Sequence, residues 1–165
     1  MLLVKGGDFM TTIKHTGLFK WDRSDVLKYK EKGNHFKDIT RQLLYPGRPE
    51  LPVQMRYFEI ATGGHSTLER HGHVHMVMVI RGSGEVLVGS EIQKLESFDL
   101  VEIPPKTWHQ FRATVGETFG FLCLVTTDRD RPELPCEAEL AQLKRDPKVA
   151  GFIRHDAPLV HVGTK

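Results

Sequence analysis

From residue 36 onward the chain is a succession of short apolar runs, each stopped by glycine or proline. The runs cover residues 37–44, 53–60, 74–80, 85–89, 100–103, 109–114 and 118–126. Their stops include Pro46-Gly47, Gly63-Gly64, Gly82-Ser83-Gly84, Pro104-Pro105 and Gly116. A buried helix needs roughly ten or more uninterrupted residues, whereas a strand needs about four to eight. These runs are therefore predicted strands. Several short strands at roughly 8 to 12 residue spacing, with glycine or proline between them, predict a β-sandwich or barrel.

The flanks differ from this centre. Residues 1–35 are polar and lysine-rich, and 21–31 could form a short helix started by Asp22 or Ser24. Residues 136–145 place acids first and bases last, as the helix dipole favours. Asp146 and Pro147 then suit the cap and first position of a second short helix, with Val149, Phe152 and Ile153 as its buried stripe. The expected organisation is an N-terminal arm (1–35), a β-barrel (36–128) and a C-terminal helical extension (129–165).

At 165 residues the chain is long enough for one domain with a real core. Its 23 basic and 21 acidic residues are interspersed, which provides no electrostatic footprint for nucleic acid or an anionic membrane. No apolar stretch approaches the roughly 18 residues of a membrane helix. The first residues lack a cleavage-like site, so no secretion signal is expected. Cys123 and Cys136 make no disulfide framework, and a reducing cytoplasm is the simplest setting.

Between residues 69 and 75 the chain reads ERHGHVH, with Glu69, His71, His73 and His75 at alternate positions. An extended segment sends alternate side chains to one face. His109 follows at the start of a later run. Gathering so many polar groups on one face without a common partner would cost several kcal/mol. One carboxylate with several imidazoles is the donor set of a first-row transition metal: iron, manganese, nickel, copper or zinc.

The run from Gly63 to Gly84, followed by FDLVEIPPKTWHQFRA, resembles the paired signature motifs of the cupin superfamily. The first family motif has the form G-x5-H-x-H-x3or4-E-x6-G, the second G-x5-P-x-G-x2-H-x3-N. Gly82 resembles the closing glycine of the first. Counting back places His75 at the family's Glu position, and His71 and Glu69 at its two His positions. Pro104 and His109 match the second motif directly. Glu and His have exchanged ends, and Phe98, Lys106 and Ala113 replace the second motif's two glycines and its asparagine.

The resemblance implies a double-stranded β-helix, or jelly-roll, barrel holding a divalent metal on Glu69, His71, His75 and His109. The family spacing skips His73, which implies a bend between His71 and His75 and a rim or outer role for His73. His65, near the Gly-Gly turn, is expected at the surface.

Arg56 shares a strand face with Phe58 and Ile60, so it is expected inside the barrel. There it would either orient an anionic substrate or pair with a carboxylate such as Glu69. Cys123 reads first as a buried structural thiol, with a pocket thiol beside the metal as the alternative. Trp108 and Gln110 are expected to shape the pocket mouth, and 128–132 to be a solvated, ion-paired connection.

The function expected is a metal-dependent enzyme acting on a small organic molecule, with dioxygenase-type chemistry favoured. Glu69, as a proton carrier, and Arg56 are its candidate catalytic groups. Isomerase, decarboxylase or lyase chemistry, or a non-catalytic metal- or metabolite-binding barrel, remain alternatives. Cupins commonly pair edge strands across a dimer, and residues 37–44 with the arm would serve a homodimer.

Overall fold

In the computed structural model of the chain, residues 12–30 and 35–155 are described. Strands β1 (His15–Gly17) and β2 (Lys20–Trp21) form a small hairpin, and β3 (Leu27–Lys28) pairs with β4 (Lys37–Tyr45). Then follow β5 (Val53–His65), β6 (His75–Arg81), β7 (Gly84–Val88), β8 (Glu91–Leu95) and β9 (Leu100–Ile103). After β10 (His109–Ala113) and β11 (Phe119–Thr126), the chain ends in α1 (Glu137–Leu143) and α2 (Pro147–Phe152).

All strands from β3 onward belong to one antiparallel sheet whose main path runs β8-β7-β10-β5-β11-β6-β9, with β4 also on β5. Strand β5 is the corner. Its first part pairs with β11 from Val53 to Ile60, while its last residue, His65, pairs with Arg112 of β10. One long strand serving both halves curls the sheet on itself, and the halves face each other across a common core. The expected all-β jelly-roll barrel is the observed fold.

Period-two alternation decides what lies inside. Phe58 and Ile60, Val77 and Val79, Phe111 and Ala113, and Phe119, Phe121, Cys123 and Val125 fill the interior. Phe111 stacks on Phe121 at 4.7 Å between ring centroids, and Phe58 meets Phe121 at 5.6 Å. Each large apolar side chain so buried stabilises the fold by about 1.5–3 kcal/mol. At the β6–β7 turn Gly82 has φ +61°, and a Cβ there would run into the Thr118 carbonyl oxygen. Backbone sterics thus explain the glycine that closes the first motif.

The helical tail forms as the sequence predicts. Asp146 accepts a hydrogen bond from the Lys148 amide at 2.8 Å, and Val149, Phe152 and Ile153 are buried. They pack on Leu68 and on Leu87, which points outward from β7. Gln110 fastens this layer. Its amide nitrogen donates to the carbonyls of Ser66 (2.9 Å) and Arg154 (2.6 Å), and its oxygen accepts from the Arg154 amide (2.8 Å).

Several expectations are corrected. The described residues of the predicted 21–31 helix contain no helix: Trp21, Leu27 and Lys28 lie in strands, Asp22 and Arg23 form a turn, and Glu31 lies outside the described residues. Asp22 accepts from the Lys14 amide (2.7 Å) and Ser24 donates to the Leu43 carbonyl (3.0 Å), while Arg23 has φ +60°. Phe19 and Trp21 instead alternate onto Tyr57, at 5.9 and 5.1 Å. Burial of those rings outweighs a weak helical preference. Strand β8 was not expected, because EIQKL buries only Leu95. The run 69–75 is not a strand: isolated bridges hold Glu69 and Arg70, and the chain bends at Gly72 and His73.

Candidate metal centre

Three separate segments bring the histidines together. His109 opens β10 and His75 opens β6, both directed inward by strand alternation. His71 lies in the irregular segment between β5 and β6. That segment is held because the Glu69 and His109 amides each donate to the other's carbonyl (3.2 and 3.0 Å) and the Lys106 amide donates to the His71 carbonyl (2.6 Å). One ring nitrogen from each of His71, His75 and His109 then lies within 4.8 Å of the others.

Tautomers follow from the partners. The His71 Nδ1–H donates to the His73 carbonyl (2.8 Å) and the His109 Nδ1–H to the Thr107 carbonyl (3.0 Å), since a carbonyl can only accept. Each ring is left with its Nε2 lone pair, and that of His71 is buried without a hydrogen-bond partner. Burial, then the neighbouring His109 and His73, lowers the His71 pKa to about 4. Burial is also the main cause that drives His75 far down and lowers His109. Three imidazoles kept neutral by burial, with converging ring nitrogens and the His71 lone pair unpartnered, fit a divalent transition metal.

Glu69 is buried beside this cluster, but its carboxylate is engaged. Lys30 Nζ lies 2.5 Å from one oxygen, and the Tyr29 hydroxyl donates to the other at 3.5 Å. Burial and the Glu69 charge raise the Tyr29 pKa well above its ordinary value. The expected bend is present and sets His73 on the rim. Its Nδ1 donates to Asp130 (2.8 Å), its ring stacks on His71 (3.8 Å), and its Nε2 lies 3.0 Å from that of His75. The His73 ring N–H, followed by the Gly72 amide, holds the Asp130 carboxyl far below the usual range.

Arg56 points into the barrel, its guanidinium over the Phe58 ring at 5.2 Å and its Nη2 3.5 Å from the Cys123 sulfur. It does not pair with Glu69, because Lys30 from the arm occupies that position. Cys123 is 2% exposed, with its sulfur 3.7 Å from His75 Nδ1. Burial raises its pKa, against an opposing influence of Arg56. The thiol thus touches the histidine cluster from behind without lining the cavity in front.

That cavity, of about 220 Å³, is bounded by Glu69, His71, His73 and His75 on one side. Tyr29, Lys30, Arg41, Arg56, Arg129 and Asp130 complete most of the remainder. The sequence reading missed the arm residues Tyr29 and Lys30, since no motif marks them and only β3–β4 pairing carries them there. Residues 128–132 are exposed, with Asp130 paired to His73 and Lys106 as expected, and Arg129 and Asp130 also line the cavity. Trp108 and Gln110 do not shape its mouth: flanking the inward His109, they face the helical tail, with Arg70 4.4 Å over the Trp108 ring. His65 is buried rather than at the surface, its Nδ1 3.0 Å from the Ser66 carbonyl.

Comparison with known proteins gives consistent results. The Cupin domain family matches residues 56–125, from β5 to β11, including all the histidines of the cluster. A protein of Rhodospirillum rubrum named 1-methylthio-D-xylulose 5-phosphate methylsulfurylase is 48% identical over 136 residues, covering 82% of this chain and 86% of that protein. A cupin 2 conserved barrel domain protein from Rhodopseudomonas palustris is 49% identical, with TM-score 0.82, over 87% of this chain and 99% of that one. A cupin-2 domain from Rhodospirillum rubrum is 47% identical, with TM-score 0.77, over 82% and 91% of the two chains. Barrel topology, glycine-closed turn and shared sequence agree: the chain belongs to the cupin family.

Proposed function

We propose that this protein is a metal-dependent cupin enzyme that removes a methylthio group from a small phosphorylated ketone and passes the sulfur to a thiol. The observation that carries the reading is the convergence of His71, His75 and His109, ring nitrogens within 4.8 Å, beside a small cation-lined cavity. The name of the Rhodospirillum rubrum relative supports the substrate class, a 2-ketose with sulfur on the carbon next to the carbonyl.

A soluble thiol is the co-reactant. Its sulfur attacks the methylthio sulfur, forming an S–S bond and breaking the C–S bond. The electron pair goes to carbon and spreads onto the neighbouring carbonyl oxygen, and that carbon then takes one proton. A divalent metal bound by His71, His75 and His109 would supply Lewis-acid stabilisation of the carbonyl oxygen. Within the cavity, Glu69 with Lys30 and Tyr29 forms the proton-carrying group. Cys123 is buried with its thiol pKa raised, which disfavours it as the attacking sulfur.

This reading replaces the dioxygenase class favoured from the sequence, which rested on the ligand set alone. The test is anaerobic incubation of the manganese- or iron-loaded protein with 1-methylthio-D-xylulose 5-phosphate and dithiothreitol, whose second thiol closes the ring disulfide and expels methanethiol from the mixed disulfide, following methanethiol release. Release without oxygen supports it. No release with any divalent metal, or release only in air, overturns it.

A homodimer belongs to the same proposal. Among described residues, no helix is long and apolar enough to cross a membrane. Outward-facing Met78, Leu100 and Leu124 are 39, 58 and 37% exposed on neighbouring strands, an apolar stripe suited to a second copy. Sedimentation of the wild type as a monomer at micromolar concentration would remove it.

A further inference from the structure

Three arginines reach the cavity from neighbouring parts of the sheet. Arg41 stands on β4, Arg56 on β5, and Arg129 just past the end of β11. Since β4 and β11 both pair with β5, this placement follows from the topology. Among the described residues, none of the three forms an ion pair with an acid. Both acids of the cavity are occupied, Glu69 by Lys30 and Asp130 by His73 and the Gly72 amide.

The hydrogen bonds of these arginines leave donors over. Arg41 Nε donates to the Lys28 carbonyl (3.2 Å) and Arg129 Nη1 to the Thr126 carbonyl (3.2 Å). Arg56 Nη2 has only the weak Cys123 sulfur acceptor, and its Nε is buried without any partner. Burial, and after it the neighbouring Arg56 and Arg41 charges, lowers the Arg129 pKa. Clustered cations with spare donors at one cavity favour an anion that completes them.

We infer that Arg41, Arg56 and Arg129 form a subsite for a phosphate monoester, holding the phosphate end of the substrate while the histidine cluster faces its carbonyl end. A phosphate dianion matches this chemistry, because each planar guanidinium can present two parallel N–H groups to its oxygens. At about 220 Å³ the cavity is smaller than those of drug-sized ligands, and a short-chain sugar phosphate is the matching class of molecule. The inference rests on reading the substrate as a phosphorylated ketone, but it makes its own prediction about binding.

The test is titration calorimetry of manganese-loaded protein with D-xylulose 5-phosphate and with unphosphorylated D-xylulose. The partly exposed Arg41→Gln and Arg129→Gln variants are compared with wild type, with folding checked by circular dichroism and metal content by elemental analysis. Wild type should bind the phosphate ester at least about tenfold more tightly than the free sugar. Each variant should lose about tenfold or more of that affinity while keeping its metal. Variants that bind the ester as wild type does, or a phosphate that adds no affinity, overturn the inference. Arginine-dependent binding without methanethiol release would leave the subsite standing and remove the proposed reaction. Release with unchanged binding in the variants would do the opposite.

Discussion

Lys30 Nζ lies 2.5 Å from the Glu69 carboxylate, so a residue of the N-terminal arm closes against the segment that carries the histidines. The pair couples β3, docked on β4, to the floor of the cavity. Lys30→Met leaves a nearly buried carboxylate without its cation, at a cost of about 1–3 kcal/mol. The value is below that of a fully buried pair because the Lys30 side chain remains 32% exposed. A lower denaturant midpoint and reduced turnover are expected, with Lys30→Arg restoring both. Unchanged turnover in Lys30→Met would separate the pair from the chemistry.

His71→Ala and His109→Ala should each lose most bound metal, read by elemental analysis of purified protein. Two further variants address the fourth position. Loss in Glu69→Ala but not His73→Ala assigns it to the carboxylate, and the reverse assigns it to the rim imidazole 3.0 Å from His75. Full metal retention in both His71→Ala and His109→Ala would falsify the centre.

Metal-free protein should lose stability as pH falls from about 6.5 toward 4. An unfolded histidine titrates near 6.5, whereas folded His71 resists protonation down to about 4, and His75 and His109 are also lowered. Across that window the unfolded chain binds protons that the native state refuses, so stability present above it drains away on acidification. His71 alone accounts for about 2–4 kcal/mol. Calorimetry of chelator-treated protein measures the slope, and His71→Asn should flatten it. An equal slope in the variant contradicts the assignment.

Cys123→Ser should retain metal and lower methanethiol release by no more than about tenfold, an effect of altered packing behind His75. A loss of a thousandfold or more would instead identify Cys123 as the attacking thiol.

Gln110→Ala leaves the Ser66 carbonyl and both Arg154 backbone groups without their side-chain partner, costing about 1–3 kcal/mol. Limited proteolysis should then cut the helical tail faster than in wild type, while metal content stays unchanged. Equal cutting rates would mean that apolar packing alone retains the tail.

What was legible in the sequence was local and periodic. Alternation within runs marked Arg56, Phe58 and Ile60 as interior, glycine and proline marked the turns, and Asp146-Pro147 marked the start of α2. The resemblance to the cupin motifs, counted from Gly82 and Pro104, singled out Glu69, His71, His75 and His109, and at Gly82 that motif has a backbone reason, since no Cβ fits there. Edge strand β8, with one buried residue, carried too little pattern to be seen.

Tertiary structure alone decided which charges meet. Lys30 lies 39 residues from Glu69, and Asp130 lies 57 from His73. No local preference encodes either contact, and the same holds for the gathering of Arg41, Arg56 and Arg129. The periodic pattern of one chain thus determined the barrel strands, among them those that open on His75 and His109. The electrostatic surroundings of those histidines came from segments that curl in from opposite ends, because only closure of the sheet brings them within the few ångströms over which such pairs form.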